Sequence, residues 1–392
     1  MQENHFSWKR MGFFGTIAAM MNTERIYISS VDDTEAIQRA GRLLRDGAIV
    51  ALPTETVYGL GAKAEPGVLA RLDAIKGRQA DKRYSLHIGC LEDLARYVPR
   101  PTLQAKKLMQ TMWPGPMTII FEPDKESLEI IRAALPPETY ELLYRDGSLG
   151  VRYPDNPVAC AVLKAAVAPI VAPSANPAAQ APAVSADEVA AYFNGHIEMI
   201  VEAPGSCRHR LNSTVVRVGE KGVTVLREGV YSRPQTLEAA RVHLLFVCTG
   251  NTCRSPMAEA LCRKYLADKF NCDLDAVEEF GYTIISAGVA AFESMPASRH
   301  ALEVSRQKGT PLDNHRSSRL TAAMIQQADL IFVMNESHLQ YIRQTAAETE
   351  SKCYLLDASG EIADPVGYDL DVYRSCAEQI ERSINERMNA LL

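Results

Sequence analysis

No stretch of this 392-residue chain is long and apolar enough to span a bilayer. The nearest is Met11 to Met21, behind Lys9 and Arg10, which has the length of a signal-peptide core; the other reading is a disordered leader over residues 1–22, with translation starting at Met20 or Met21 and MNTERIYIS opening a strand. Positive charge is in no excess either. Forty-two Lys plus Arg stand against 48 Asp plus Glu, a net charge of -6, which argues against broad, sequence-independent nucleic-acid binding. From Val242 onward 14 basic residues face 21 acidic ones, so this part carries -7 and the remainder, 28 against 27, carries +1. Paired CxxC spacing is missing, and the cysteines number nine. An odd count without that spacing argues against a disulfide framework and a structural zinc site, and fits a reducing cytoplasm.

What is there is too long for one ordinary core, so two or three domains are expected. The most informative stretch is His243 to Pro256, HLLFVCTGNTCRSP. Val242 to Val247 is a near-continuous apolar run, the pattern of a strand buried on both faces. A polar loop follows, and Ser255, Pro256 and Glu259 stand where helix-start signals belong, ahead of the apolar spacing of Met257 to Leu266. Backbone amides converging on that helix start favour both a bound phosphate and a thiolate. A free cysteine has a pKa of about 8.5, and an amide nest beside an arginine lowers it to about 3.5 to 7.5, which would make Cys248 a nucleophile at neutral pH. The five residues between Cys248 and Arg254 allow both side chains to address one tetrahedral dianion, the guanidinium in bidentate fashion. Gly250 is expected to supply a positive φ that Asn251 also tolerates, and Ser255 to donate to the thiolate. Taken alone, Cys248 would also suit a buried structural cysteine at a strand end.

Ahead of this stretch the chain reads as alternating strands and helices. A strand at Ile26 to Ser29 precedes a helix over Thr34 to Arg45, which ends at Asp46-Gly47 before a strand over Ala48 to Leu52. PTETVYGLGAKA follows, with hydroxyls, a carboxylate and glycines suited to close backbone approach to a small polar ligand, or to a plain Gly-rich turn. A helix over Val68 to Ile75 delivers Lys76-Gly77-Arg78, two cations that suit a polyphosphate or merely a solvated helix end. Further helices are expected over Leu103 to Met112 and Val158 to Ala168. Strands are expected at Ser85 to Ile88, after WPGPMTIIF begins, at Gly150 to Tyr153, and at Pro169 to Ala172 before Pro173-Ser174-Ala175-Asn176.

PTETVYGLG, KGR, His87, WPGPMT, GVRYP, APSAN and STVV together resemble the YrdC family of threonylcarbamoyl-AMP synthases over roughly Thr23 to Arg233. The resemblance implies an α/β fold with a twisted mixed sheet around a basic cavity. It also implies condensation of L-threonine, bicarbonate and ATP to threonylcarbamoyl-AMP and pyrophosphate for tRNA modification. Implied with it are Mg2+ accompanying ATP, double-stranded RNA binding, and a tRNA-modification machinery that takes up the adenylate. By motif, Lys76, Arg78, Lys82, Thr118, Ser174, Asn176 and Arg227 are implied to bind ATP, and Thr56, His87, Ala172 and Ser213 to bind threonine. This chain departs from the pattern at Gln79, where the family has proline, and at Lys82, Arg83 and Tyr84, where it has Asn-Pro-Leu. CRHRLN before STVV is more basic than usual, and Glu228 replaces a proline.

A short polar linker is expected at residues 234–241, with the two halves touching or nearly so. Beyond it, strands at Tyr282 to Ser286, Leu330 to Met334 and Cys353 to Leu356 alternate with helices over Ala297 to Lys308, near Thr321 to Gln327, and over Val372 to Leu391. That alternation predicts a doubly wound parallel sheet with ligands at the carboxyl ends of its strands. CTGNTCRSP, SAG, ADLIFVMNESH and the late Asp364-Pro365 resemble the low-molecular-weight protein-tyrosine-phosphatase family over Val242 to Leu392. The resemblance implies a flavodoxin-like strand order, Cys248 as nucleophile, Arg254 as oxyanion clamp and Asp364 as general acid and then general base, with no cofactor. Thr249, Gly250, Asn251, Thr252, Cys253 and Ser255 would support the phosphate loop, and Cys253 would protect Cys248 through a reversible disulfide. Thr252 resembles the protein-arginine-phosphatase branch, and Val366-Gly367 replaces aromatics of the tyrosine enzymes, so phosphoarginine on proteins is the expected substrate. The alternatives are phosphotyrosine, an arsenate reductase, for which Cys353 and Cys376 are too isolated, and a first half that binds nucleotide or RNA without catalysis.

Overall fold

The computed structural model describes residues 22–78 and 83–391. The leader at residues 1–21 and the departures at Gln79 and Lys82, with Lys82 as an ATP ligand, lie outside the described residues. Fourteen strands form two sheets among the described residues. They are β1 (Glu24–Tyr27), β2 (Val50–Leu52), β3 (Gly59–Lys63), β4 (Ser85–His87), β5 (Met117–Phe121), β6 (Leu149–Arg152) and β7 (Ile170–Val171), then β8 (Met199–Glu202), β9 (Thr214–Gly219), β10 (Gly222–Arg227), β11 (Val242–Cys248), β12 (Tyr282–Gly288), β13 (Leu330–Val333) and β14 (Cys353–Leu355).

The larger sheet is mixed, in the order β1-β8-β2-β3-β7-β4-β6-β5-β9-β10. Its strands send alternate residues to opposite faces, as a period of two requires. Val50 and Leu52 join one apolar core with Ile37, Leu44 and Val162, while Ala51 joins another with Leu60, Leu86 and Ile119. The helix Thr34–Arg45, capped by the Asp33 carboxylate on Ala36 N, buries Ile37, Ala40, Gly41 and Leu44 on one face. Gly41 is required there: a Cβ would stand 2.7 Å from Ala165 of the helix Pro157–Ala166, so only glycine lets the two helices meet. The helix Leu103–Met112 has the bounds its pattern predicts.

The smaller sheet is wholly parallel, in the order β12-β11-β13-β14, which is the flavodoxin-like arrangement expected. The continuous apolar run of β11 serves two cores at once: Leu244, Phe246 and Cys248 face one, Leu245 and Val247 the other. Its carboxyl end lies between strands whose crossovers run in opposite directions, the place where such sheets take ligands.

The segment expected as a linker contains a helix, Arg233–Ala239, begun by a reciprocal capping box between Ser232 and Gln235 with Pro234 in its first turn. It brings the helix Leu103–Met112 against the second sheet. Lys107 Nζ lies 2.6 Å from Asp329 Oδ1, Gln104 Nε2 donates to Phe280 O at 2.8 Å, and Leu103 is part of the second sheet's core. Asp329 Oδ2 also accepts from His243 N, so this contact seats the first residues of β11. No helix among the described residues is long and apolar enough to cross a membrane.

Candidate active sites

β11 ends at Cys248, and the next helix begins at Arg254. The helix has no side-chain cap, which leaves its first amides for whatever the loop holds. The residue in the left-handed region is Asn251 (φ 53°), and Gly250 does not have a positive φ, contrary to expectation. Asn251 manages it because its side chain and carbonyl are tied on every side. Its Nδ2 donates to Ser255 Oγ and Ser286 Oγ, both at 2.9 Å, its Oδ1 accepts from Ser318 N, and its carbonyl meets His315 Nε2 at 2.8 Å. The indispensable glycine is Gly288 in the SAG motif, where a Cβ would lie 2.6 Å from Thr249 O and 2.8 Å from Asn251 N.

This frame turns the loop around the Cys248 sulfur. Asn251 N donates to Sγ at 3.2 Å, and Ser255 Oγ lies 3.0 Å from it. Because Ser255 Oγ already accepts from Asn251, its own proton goes to the sulfur or to Ala287 O at 3.3 Å, and the sulfur is the nearer. The Arg254 guanidinium donates through Nη1 to Ile362 O at 3.0 Å and through Nη2 to Asp364 Oδ2, with Thr249 Oγ1 at 3.5 Å. Tertiary folding thus brings Asp364 to the turn that holds Cys248, Arg254 and Ser255. Cys253 stands just ahead of the helix with its sulfur 3.3 Å from both Ser298 Oγ and the Tyr373 hydroxyl, and the Thr252 side chain is half-buried.

The Cys248 thiol is pushed up by burial, against the lowering effects of Ser255, Arg254 and the Asn251 amide. This corrects the expectation of a depressed value. The Arg254 charge is answered by Asp364, which weakens its pull on the sulfur, and a buried anion needs that pull.

In the first half, β4, β6 and β5 lie side by side with His87, Arg152 and Thr118 in register across them. One row of three side chains therefore floors a cavity of about 240 Å³. Of the expected residues, Thr118, Ser174, Arg227, His87, Ala172 and Ser213 line it. Thr118 Oγ1 and Ser213 Oγ are 3.1 Å apart, and Arg227 donates to Ser213 O. The others stand behind the lining. Lys76 Nζ donates to Ser174 O and Asn176 O, Asn176 accepts from Ser174 Oγ, and Arg78 lies over the Tyr84 ring, 4.5 Å from its centroid. Thr56 sits under Arg152, its hydroxyl 2.6 Å from Nη2.

Arg152 is the residue that motif matching overlooked, although GVRYP carries it. The signal for it was an arginine closing an otherwise apolar strand. Its Nη2 reaches Glu55 Oε1 at 2.8 Å, while its buried Nε has no partner among the described residues. Burial lowers the Arg227 pKa, and the Arg152 charge adds to this. Three arginines, Arg83, Arg152 and Arg227, line one cavity whose described lining holds no carboxylate, which makes a site for anions.

Burial and the Arg152 charge bring His87 down to about 3, against a bond from its Nδ1 side to Ser85 O. In the second half, burial and the Arg254 charge bring His338 down to about 4. Both rings fold neutral, whereas the unfolded chain takes up their protons below the ordinary 6.5. The unfolded state then binds more protons, so stability is complete above that value and falls with pH toward each folded value. The expected slope is up to about 1.4 kcal/mol per pH unit for each histidine. Urea unfolding across this window checks it, and His87→Gln should remove one contribution.

The Sua5_yciO_yrdC family model, described as telomere recombination, matches residues 42–229, and the low molecular weight phosphotyrosine protein phosphatase model matches residues 243–392. The chain is 34% identical over 197 residues to the threonylcarbamoyl-AMP synthase of Pyrococcus abyssi, covering 49% of this chain and 54% of that protein. The chain thus spans about half the length of that relative. It is 34% identical to the threonylcarbamoyl-AMP synthase of Halorhodospira halophila, over 49% of this chain and 94% of the relative. To the protein-arginine-phosphatase of Bacillus subtilis it is 35% identical, over 36% of this chain and 92% of the relative. The chain thus belongs to the Sua5/YciO/YrdC family through its first half and to the low molecular weight phosphotyrosine protein phosphatase family through its second.

Proposed function

We propose that the protein is a bifunctional enzyme. Residues 23–233 form a threonylcarbamoyl-AMP synthase that feeds tRNA modification, and residues 242–392 form a protein phosphatase acting on phosphoarginine. The observation that carries the phosphatase assignment is the convergence of Cys248, Arg254 and Asp364 on one loop. Cys248 attacks phosphorus as the thiolate while the P–N bond breaks, and Asp364, entering the cycle as the carboxylic acid, gives its proton to the departing guanidine nitrogen. Arg254 and the loop amides hold the three equatorial oxygens. Asp364, now a carboxylate, takes a proton from the water that attacks phosphocysteine, and phosphate leaves with the thiolate restored.

For the synthase, the row His87, Arg152 and Thr118 supports the reading. Arg152 suits the threonine carboxylate, with Thr56 and Glu55 holding it from below and His87, Ala172 and Ser213 around the amino acid. Thr118, Ser174 and Arg227 would take the nucleotide, with Lys76, Arg78 and Asn176 bracing the loop beneath it and Lys82 contributing as the family resemblance implies. Preorganised cations stabilise the charge that gathers on pyrophosphate as it leaves. The described lining has no carboxylate to ligate Mg2+, so no step is assigned to it. Pyrophosphate release that requires threonine and bicarbonate together tests this half. Nucleotide binding without turnover would favour a non-catalytic module.

Thr252 at the rim and Val366-Gly367 beside Asp364 support phosphoarginine. Tyr368, 63% exposed on the Asp364 loop, is the observation that favours phosphotyrosine. The expected result is a kcat/KM at least about tenfold higher for phosphoarginine peptides than for phosphotyrosine peptides, about 1.4 kcal/mol of preference. Equal or faster turnover of phosphotyrosine overturns it.

A further inference from the structure

His338 lies in the first turn of the helix Glu336–Thr345, its backbone amide capped by the Asn335 side chain. The ring is buried against the phosphatase loop, with Nε2 3.0 Å from Thr249 Oγ1 and Nδ1 without a partner among the described residues. Thr249 Oγ1 also receives Arg254 Nη2. A hydroxyl that accepts from a guanidinium directs its own proton elsewhere, and Nε2 is the acceptor in reach. With its proton on Nδ1 the neutral ring accepts from the hydroxyl, and with its proton on Nε2 it donates to the hydroxyl's second lone pair; either way the ring fixes the Thr249 side chain. The charged groups that face the ring are Arg254 from the loop helix and Asp364 and Glu361 from the loop ahead of the last helix. The Arg254 charge and burial outweigh the two carboxylates and hold the ring neutral.

Arg254 has three restraints: the Ile362 carbonyl, the Asp364 carboxylate and the Thr249 hydroxyl. One of them is temporary. The Asp364 side chain is 42% exposed whereas that of Arg254 is 3% exposed, so the carboxylate is the partner placed to swing toward a leaving group.

We propose that His338 is a positioning residue of the phosphatase half: its neutral ring orients the Thr249 hydroxyl, which keeps Arg254 aimed into the loop when Asp364 turns to the leaving group. The proposal rests on the phosphatase reading above. Because the restraint matters most once Asp364 has let go, its loss reduces turnover more than substrate binding.

Steady-state kinetics of the full chain on an aryl phosphate and a phosphoarginine peptide test this. His338→Phe, which fills the space and removes the acceptor, should lower kcat by about 10- to 100-fold with KM changed by less than about threefold. His338→Gln offers a carbonyl oxygen to Thr249 and should restore kcat to within about fivefold of the parent. Thr249→Val should resemble His338→Phe, and the double variant should be no slower than either. An unchanged kcat in His338→Phe overturns the proposal, as does a His338→Gln variant equally slow with an equally lowered melting temperature. If the unaltered protein turns over neither substrate, the phosphatase reading fails first; if it is active and the variants match it, only the role of His338 fails.

Discussion

Cys248→Ser should lower phosphatase turnover by a factor on the order of 10⁴ to 10⁶, the usual cost of removing a covalent nucleophile. Pyrophosphate release by the first half should stay within about twofold, because Cys248 does not line the cavity of that half and the substitution adds no volume. The reason for the size is chemical. The loop supports a sulfur anion through the Asn251 amide and the Ser255 hydroxyl, and a serine hydroxyl in that position stays protonated at neutral pH. Burial raises the thiol, while Ser255, Arg254 and the Asn251 amide act to lower it. Assays of both activities on the same preparation check this. Turnover by the Cys248→Ser variant comparable to that of the parent would remove Cys248 as nucleophile.

Arg152→Met should lower the stability of the first half by about 3 to 5 kcal/mol, the cost of stranding one member of a buried ion pair. Glu55 is 0% exposed, and its charge is met by Arg152 at 2.8 Å and by the Asp155 amide at 3.0 Å. Without the guanidinium the carboxylate is left in a low-dielectric interior, and Thr56 loses its closest donor as well. A second change, Glu55→Leu, should recover most of the loss, because apolar replacement of a whole buried pair is close to neutral. Denaturant unfolding of the full chain should show the transition of the larger sheet moving while that of the smaller sheet stays in place. Synthase activity should be lost in both variants, since Arg152 stands in the row with His87 and Thr118 that floors the cavity. A single variant with unchanged midpoint would show that the pair contributes nothing.

Several elements were legible before any coordinates. The helices Thr34–Arg45 and Leu103–Met112 have the bounds their periodicity predicts, because each presents one apolar face and carries a capping Asp or Thr. The run of β11 was legible for the same kind of reason. The helix within the segment read as a polar linker at 234–241 was missed, because composition alone passes over the capping box of Ser232 with Gln235 and the proline in the first turn. The helices Lys125–Ala134 and Pro137–Leu143 were missed altogether, although Asp124 caps the first and proline opens the second.

The division follows distance along the chain. Everything from Cys248 to Ser255 lies within eight consecutive residues, so residue types and spacing sufficed to single out a sulfur and a guanidinium around one strand-to-helix turn, and of the two residues read as suited to a positive φ there, Gly250 and Asn251, only Asn251 adopts it. Strand register, by contrast, is set by packing between segments far apart in the chain. Only the folded sheet puts His87, Arg152 and Thr118 in one row, and only the crossover to β13 and its following helix brings His338 to Thr249. Local backbone geometry is written in neighbouring residues. Which distant polar groups meet is decided by the two cores that seat the strands.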